Sequence, residues 1–185
     1  MKKLVLRENF HYPVWSSGIK STPGSYVFIL TWDGKLGVFG PELWSNTDKT
    51  ELSESKPWNT TADYFLFSHQ VTPASYGILV TYKNFRLVLT QECNLVLENM
   101  NTGNILWQTN TRSTYGDCFT YLDDRGELFI KYNRRDILWR SGKRVDKAAQ
   151  YPKAHVMALR YDGKLVIYHP QIWSAGAESR RADSS

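Results

Sequence analysis

The string LWSNT at residues 43–47 decides the fold, because the chain repeats it. VWSSG stands at 14–18, LWQTN at 106–110, LWRSG at 138–142 and IWSAG at 172–176. Each copy is an aliphatic residue, a tryptophan, a variable position and small polar turn-formers. The tryptophans fall at 15, 44, 107, 139 and 173, at intervals of 29, 63, 32 and 34. The long interval is twice the others and marks a slot, near residue 75, where the refrain is lost. A fixed period means one supersecondary unit used many times.

Upstream of the tryptophans the sequence predicts strand pairs around tight turns. SYVFIL (25–30) precedes Asp33-Gly34 and residues 35–39, and residues 156–159 precede Asp162-Gly163 and residues 164–168. Residues 85–89 lead through Glu92-Cys93 to 94–97, and residues 119–122 lead through 124–126 to 127–131. Asp-Gly between β-rich runs signals a hairpin, because glycine supplies the positive φ of primed turns. Gly40-Pro41 and His169-Pro170 then stop the second strand. The tryptophan run adds another strand, so each repeat reads as a β-meander. One such unit cannot bury its apolar face alone. Copies stacked about an axis bury their tryptophans in a shared interior, as core rather than as a sugar-stacking platform. No run shows the i, i+3, i+4, i+7 spacing of a helix, and the chain is read as all-β.

The 42% hydrophobic content suits a globular core and excludes disorder for most of the chain. A net charge of +5 is mild, with basic residues gathered at Arg134-Arg135, 140–144 and Arg180-Arg181. A solvated face or an anionic partner both fit; no nucleic-acid motif is present. No run is long and apolar enough to span a membrane. Met1-Lys2-Lys3 opens like a signal peptide, but Arg7 and Glu8 cut its apolar stretch short. The expectation is a protein that stays inside the cell or a sequence lacking its true N-terminus. Cys93 and Cys118 lie in adjacent repeats, where neighbouring strands can bring them to bridging distance, as suits an oxidising compartment. Asn59-Thr60-Thr61 is a glycosylation sequon pointing the same way. His11, His69, His155 and His169 have no metal-ligand spacing, and no phosphate-cradling loop or nucleophile elbow occurs. Asp123-Asp124 reads as a turn rather than an acid/base couple. No enzyme, cofactor or metal is expected.

At the hairpins the chain resembles the bulb-type mannose-binding lectins of monocots. That family's motif, Gln-X-Asp-X-Asn-X-Val-X-Tyr, runs over a strand, a turn and the next strand. Alternation puts its five side chains on one face. The resemblance implies that Gln, Asp and Asn bond mannose, that Tyr offers its hydroxyl and that Val packs on the sugar. By spacing, the motif falls here at Thr31, Asp33, Lys35, Gly37 and Phe39, and at Thr90, Glu92, Asn94, Val96 and Glu98. It falls again at Asp123, Arg125, Glu127, Phe129 and Lys131, and at Arg160, Asp162, Lys164, Val166 and Tyr168. No copy keeps all five residues and none keeps the glutamine. The fourth is nearest, with Asp162, Val166 and Tyr168; the second keeps Asn94 and Val96; the third has lost all five. Cys93 and Cys118 match the position of a disulfide found in many members.

The implied fold is a β-prism II, three four-stranded sheets about a pseudo-threefold axis, with one complete prism and a partial second one. The expected division is a two-repeat partial domain over 1–50, a linker over 51–59, a complete three-repeat domain over 60–176 and a flexible tail over 177–185. An open prism exposes strand edges and invites a homo-oligomer or strand exchange. The expected function is a lectin for glycans or glycoproteins, mannose-type or anionic, with weakened sites and a role in defence or recognition. The alternative is a sugar-inactive scaffold that binds proteins. Family resemblance, the cysteine pair and the sequon imply a secretory location, against the missing signal peptide.

Overall fold

A computed structural model describes residues 5–8, 12–16, 22–30, 36–47, 65–69, 71–74, 77–113, 117–133, 135–145 and 154–175. Asp33 and Asn59, and with them the first motif copy up to Lys35, lie outside the described residues. The strands are β1 (Val5–Glu8), β2 (Tyr12–Ser16), β3 (Val27–Leu30), β4 (Leu36–Phe39), β5 (Glu42–Ser45), β6 (Phe65–Phe67), β7 (Val71–Pro73), β8 (Ile78–Tyr82) and β9 (Phe85–Leu89). They continue as β10 (Leu95–Asn99), β11 (Ile105–Gln108), β12 (Cys118–Leu122), β13 (Leu128–Tyr132), β14 (Asp136–Arg140), β15 (Val156–Leu159), β16 (Leu165–Tyr168) and β17 (Gln171–Ala175). Among the described residues there is no α-helix.

Three four-stranded antiparallel sheets form, in the orders β11-β10-β9-β8, β14-β13-β12-β7 and β5-β16-β15-β6. A three-stranded sheet β17-β4-β3 and the hairpin β1-β2 account for the remaining strands. In the three larger sheets alternate residues point to a common interior. Leu87, Leu89, Leu95, Leu97, Leu128, Ile130, Met157, Leu159, Leu165 and Ile167 are all fully buried there. Packed against this core, the half-buried Trp44, Trp107 and Trp139 meet edge to face, with centroids 6.0, 6.1 and 5.7 Å apart. Their pairings are equivalent: Leu97 opposite Trp107, Ile130 opposite Trp139, Ile167 opposite Trp44. A register shift follows each of these pairs, at Glu98, Lys131 and Tyr168. These three tryptophans are thus structural, as the repeat implies.

Trp44 reaches this core from the far side of the 51–59 stretch. Strand β5 completes the sheet of β15 and β16, while β17, with Trp173, pairs with β4. The stretches 1–50 and 60–176 therefore exchange their last strands within one chain. Every refrain carries the same side-chain pattern, so any of the five strands suits any slot, and order along the sequence does not say which slot it fills.

The hairpin turns differ from two-residue primed turns. Thr90, Asp123 and Arg160 each accept a bond from the amide three residues on, and each donates to the carbonyl four residues on. The left-handed residue is the fourth, at Gly126 (φ 77°), Gly163 (φ 74°) and Cys93 (φ 69°). This is a type I turn closed by a left-handed residue, a common three-residue hairpin loop. A Cβ on Gly126 would sit 2.5 Å from Leu43 and 2.6 Å from His155, so that turn also needs the missing side chain. At the equivalent place Cys93 is bonded to Cys118, with Cα atoms 5.7 Å apart, tying the β9–β10 turn to the start of β12.

Candidate functional site

If Leu95, Leu97, Leu128, Ile130, Leu165 and Ile167 point inward, the intervening motif positions point away from the tryptophan core. Three motif copies can thus be compared on three equivalent sheets.

On β9–β10 the Asn94 amide is half-buried and already engaged. Its Nδ2 donates to Gln108 Oε1 at 2.9 Å, and its Oδ1 accepts from Thr109 Oγ1 at 3.0 Å. Thr90 Oγ1 accepts from the Asn94 backbone amide at 3.1 Å. Glu92 is exposed beside Arg112, Val96 is buried, and Glu98 pairs with Arg86. The copy is assembled and reachable at its Glu92 end, with Asn94 oriented by its neighbours.

On β12–β13 Asp123 closes its own turn, accepting from the amides of Arg125 (2.9 Å) and Glu127 (2.8 Å). Glu127 is buried, and its Oε2 has no hydrogen-bond partner. Phe129, in the Val place, is overlain by Lys131 Nζ at 5.3 Å and the Arg140 guanidinium at 5.9 Å. Lys131, in the Tyr place, also lies 5.7 Å from the Tyr121 ring. Tyr121 in turn meets His69 Nδ1 at 3.5 Å.

On β15–β16 the copy nearest to the motif is sealed. Val166 is 0% and Tyr168 3% exposed, packed with Ile29 and Phe39 of the small sheet and with Val156 and Ala158. Arg160 and Asp162 pair at 3.1 Å, and Lys164 reaches Glu42 at 3.9 Å. Burial pushes the Tyr168 hydroxyl up to about 12, against the opposing pull of Arg160. This sheet is covered on both faces, by the tryptophan core and by β3–β4.

The partners that fix these faces come largely from the strand that pairs with the second strand of each hairpin, or from the residue just beyond it: Gln108, Thr109, Arg140 and Glu42. Their signal in the sequence is the variable residue after each tryptophan, since Gln108, Arg140 and Ser45 pair with Val96, Phe129 and Val166. A further group missed by motif reading is His155, which is 2% exposed with neither ring nitrogen bonded. Burial first, then His169, lowers its pKa to about 4. Among the described residues, no His, Cys, Asp and Glu cluster is placed to hold a metal ion.

Comparison with protein-family profiles gives no match. The chain is 33% identical over 188 residues to mannose-specific lectin 1 of Remusatia vivipara, covering 98% of this chain and 68% of that protein. The chain belongs to the bulb-type mannose-binding lectin family of monocots. It is also 35% identical to mannose-specific lectin 2 of Colocasia esculenta over 98% of its own length, and spans 66% of that relative, just under two thirds. The two-domain, fetuin-binding Scilla campanulata agglutinin superposes with a TM-score of 0.75 at 24% identity, over 94% of this chain and 72% of that one. That likeness concerns the fold, a bulb-type β-prism II.

Proposed function

We propose that this bulb-type lectin is a non-enzymatic glycan-binding protein, serving in defence or recognition, whose working mannose-type face is the β9–β10 hairpin. The observation that carries the reading is the state of the three copies. Only β9–β10 combines a retained Asn94 and Val96 with an acid, Glu92, that stands exposed in the aspartate place. Asn94 is held in one orientation by Gln108 and Thr109, so a sugar hydroxyl meets a fixed amide rather than a rotor. Affinity at one such face is modest, because each net hydrogen bond is worth about 1 kcal/mol. Asp162, Arg160, Lys164, Val166 and Tyr168 then serve the seam with β3–β4 more than a sugar.

A glycan array of mannose-rich, complex and sulfated glycans tests this with Asn94→Ala beside Asp162→Ala. Binding lost with the first and kept with the second supports the assignment. The reverse pattern returns the function to β15–β16. Silence across the array leaves the prism as a protein-binding scaffold.

A further inference from the structure

Residues 125–145 carry seven cations (Arg125, Lys131, Arg134, Arg135, Arg140, Lys143 and Arg144) against two carboxylates, Glu127 and Asp136. With Asp123 and Asp124 of the turn counted, the β12–β13 hairpin and its trailing segment still hold an excess of three positive charges, out of +5 for the whole chain. The sequence alone does not say what those charges face. On the fourth copy the cations are neutralised: Arg160 lies on Asp162 and Lys164 on Glu42, all largely shielded from water. On the third copy the cations rest on rings instead. Lys131 lies over Tyr121 and Phe129, and Arg140 over Phe129. Among the described residues, no carboxylate comes within ion-pair distance of either. Arg135, Arg140, Lys143 and Arg144 are exposed, while Glu127 is sealed beneath the face. At the hairpin's end Asp123 is tied into its turn, and both it and Asp124 act on the Tyr121 hydroxyl.

A cation on an aromatic face keeps its hydrogen-bond donors for a ligand while its stem is fixed. Phe129 is buried beneath the two cations and fixes them, while the half-buried Tyr121 adds an aromatic, hydroxylated edge to the surface. We propose that the outer face of β7-β12-β13-β14 binds an anionic saccharide, with Lys131 and Arg140 on its sulfate or carboxylate and Tyr121 beside the ring. This rests on the lectin reading above and gives the chain a second, chemically different face.

Titration calorimetry at pH 7 and low salt tests it with four probes: a heparin-derived octasaccharide, an oligogalacturonate of the same length, a neutral mannose-terminated glycan and a DNA duplex. The wild type binds one or both anionic probes. Binding of the sulfated probe alone assigns the anion to a sulfate ester; binding of both assigns it to charge of either kind. Lys131→Gln or Arg140→Gln weakens that binding about tenfold, the scale of one charge-assisted bond. Lys83→Gln is the matched control, because its ammonium also lies over a tyrosine, 5.8 Å from the Tyr82 ring, on another face. It changes affinity less than about twofold. Equal losses in Lys83→Gln and Lys131→Gln, or no anionic binding beside intact neutral binding, overturn this proposal alone. Loss of neutral binding with anionic binding retained overturns the mannose reading and leaves this one standing. A DNA duplex bound as tightly as the octasaccharide, and equally through Lys131, reassigns the face to nucleic acid and overturns it.

Discussion

The β7-β12-β13-β14 and β6-β15-β16-β5 sheets share a strand order, a turn, a register shift and a central tryptophan, yet face different surroundings. The first keeps none of the five motif residues and turns a ring-and-cation surface outward. The second keeps three, Asp162, Val166 and Tyr168, and buries the last two against Ile29 and Phe39. Similarity to a binding motif is therefore a poor guide to which face is available. In a repeat protein the same alternation that displays a ligand face also displays a packing face, and which it becomes depends on what docks against it.

Truncating the fifth motif position in both sheets should separate them most. Tyr168→Ala should cost about 4 kcal/mol in guanidinium unfolding, as expected for an aromatic removed from a closed core. Lys131→Ala, at the equivalent place, should cost under about 1 kcal/mol. Equal costs would mean that both faces are packed and the contrast is lost. Trp44→Ala should then lower the stability of the tryptophan core by about 3 kcal/mol, although Trp44 precedes that core's other strands by the whole 51–59 stretch. A loss confined to the β3-β4-β17 sheet, read by hydrogen exchange, would contradict the strand exchange.

The seam itself should respond to acid. His155 lies under the Gly126 turn, with its ring 6.2 Å from that of His169 and with Asp123 and Asp124 nearby. A histidine kept neutral by burial binds its proton less readily folded than unfolded, so the unfolded chain takes up the proton first as pH falls. Its contribution is present above about 6.5 and fades as pH drops towards its folded value of about 4. Comparing the wild type with His155→Gln by urea unfolding at pH 7 and pH 4.5 isolates it. The wild type should lose about 2 kcal/mol more than the variant. A parallel decline would show that other groups govern the acid limit.

Most of the fold was legible because the refrain and the hairpins state the repeat twice, once in tryptophan spacing and once in turn residues. The disulfide could be placed by the family's pattern and lies where that pattern puts it. Two things were not legible. Interchangeable refrains hide which strand closes which sheet, so Trp44 and Trp173 read alike. The surroundings of a motif depend on contacts distant in sequence, such as Ile29 and Phe39 over Val166, or Gln108 beside Asn94. Runs such as LVIY at Leu165–Tyr168 carried the only local hint, since a strand buried on both faces loses its polar alternation.

The smallest effect concerns the one turn that departs from its two counterparts. Gly126 and Gly163 adopt positive φ without a Cβ penalty, whereas Cys93 holds φ 69° with a side chain. An L-residue in that region is disfavoured by about 1 kcal/mol, and the bond to Cys118 accompanies the exception. Removing the bond in two ways separates the tether from the turn. Cys93→Ala/Cys118→Ala loses the cross-link and keeps the strained φ; Cys93→Gly/Cys118→Ala loses the cross-link and relieves it. The glycine version should be the more stable by about 1 kcal/mol, measured by thermal and urea unfolding. If the alanine version matches it, the β9–β10 turn relaxes once the bond is gone. Cys118 would then be shaping the turn that carries Glu92 and Asn94, and mannose-type binding should fall in both variants alike.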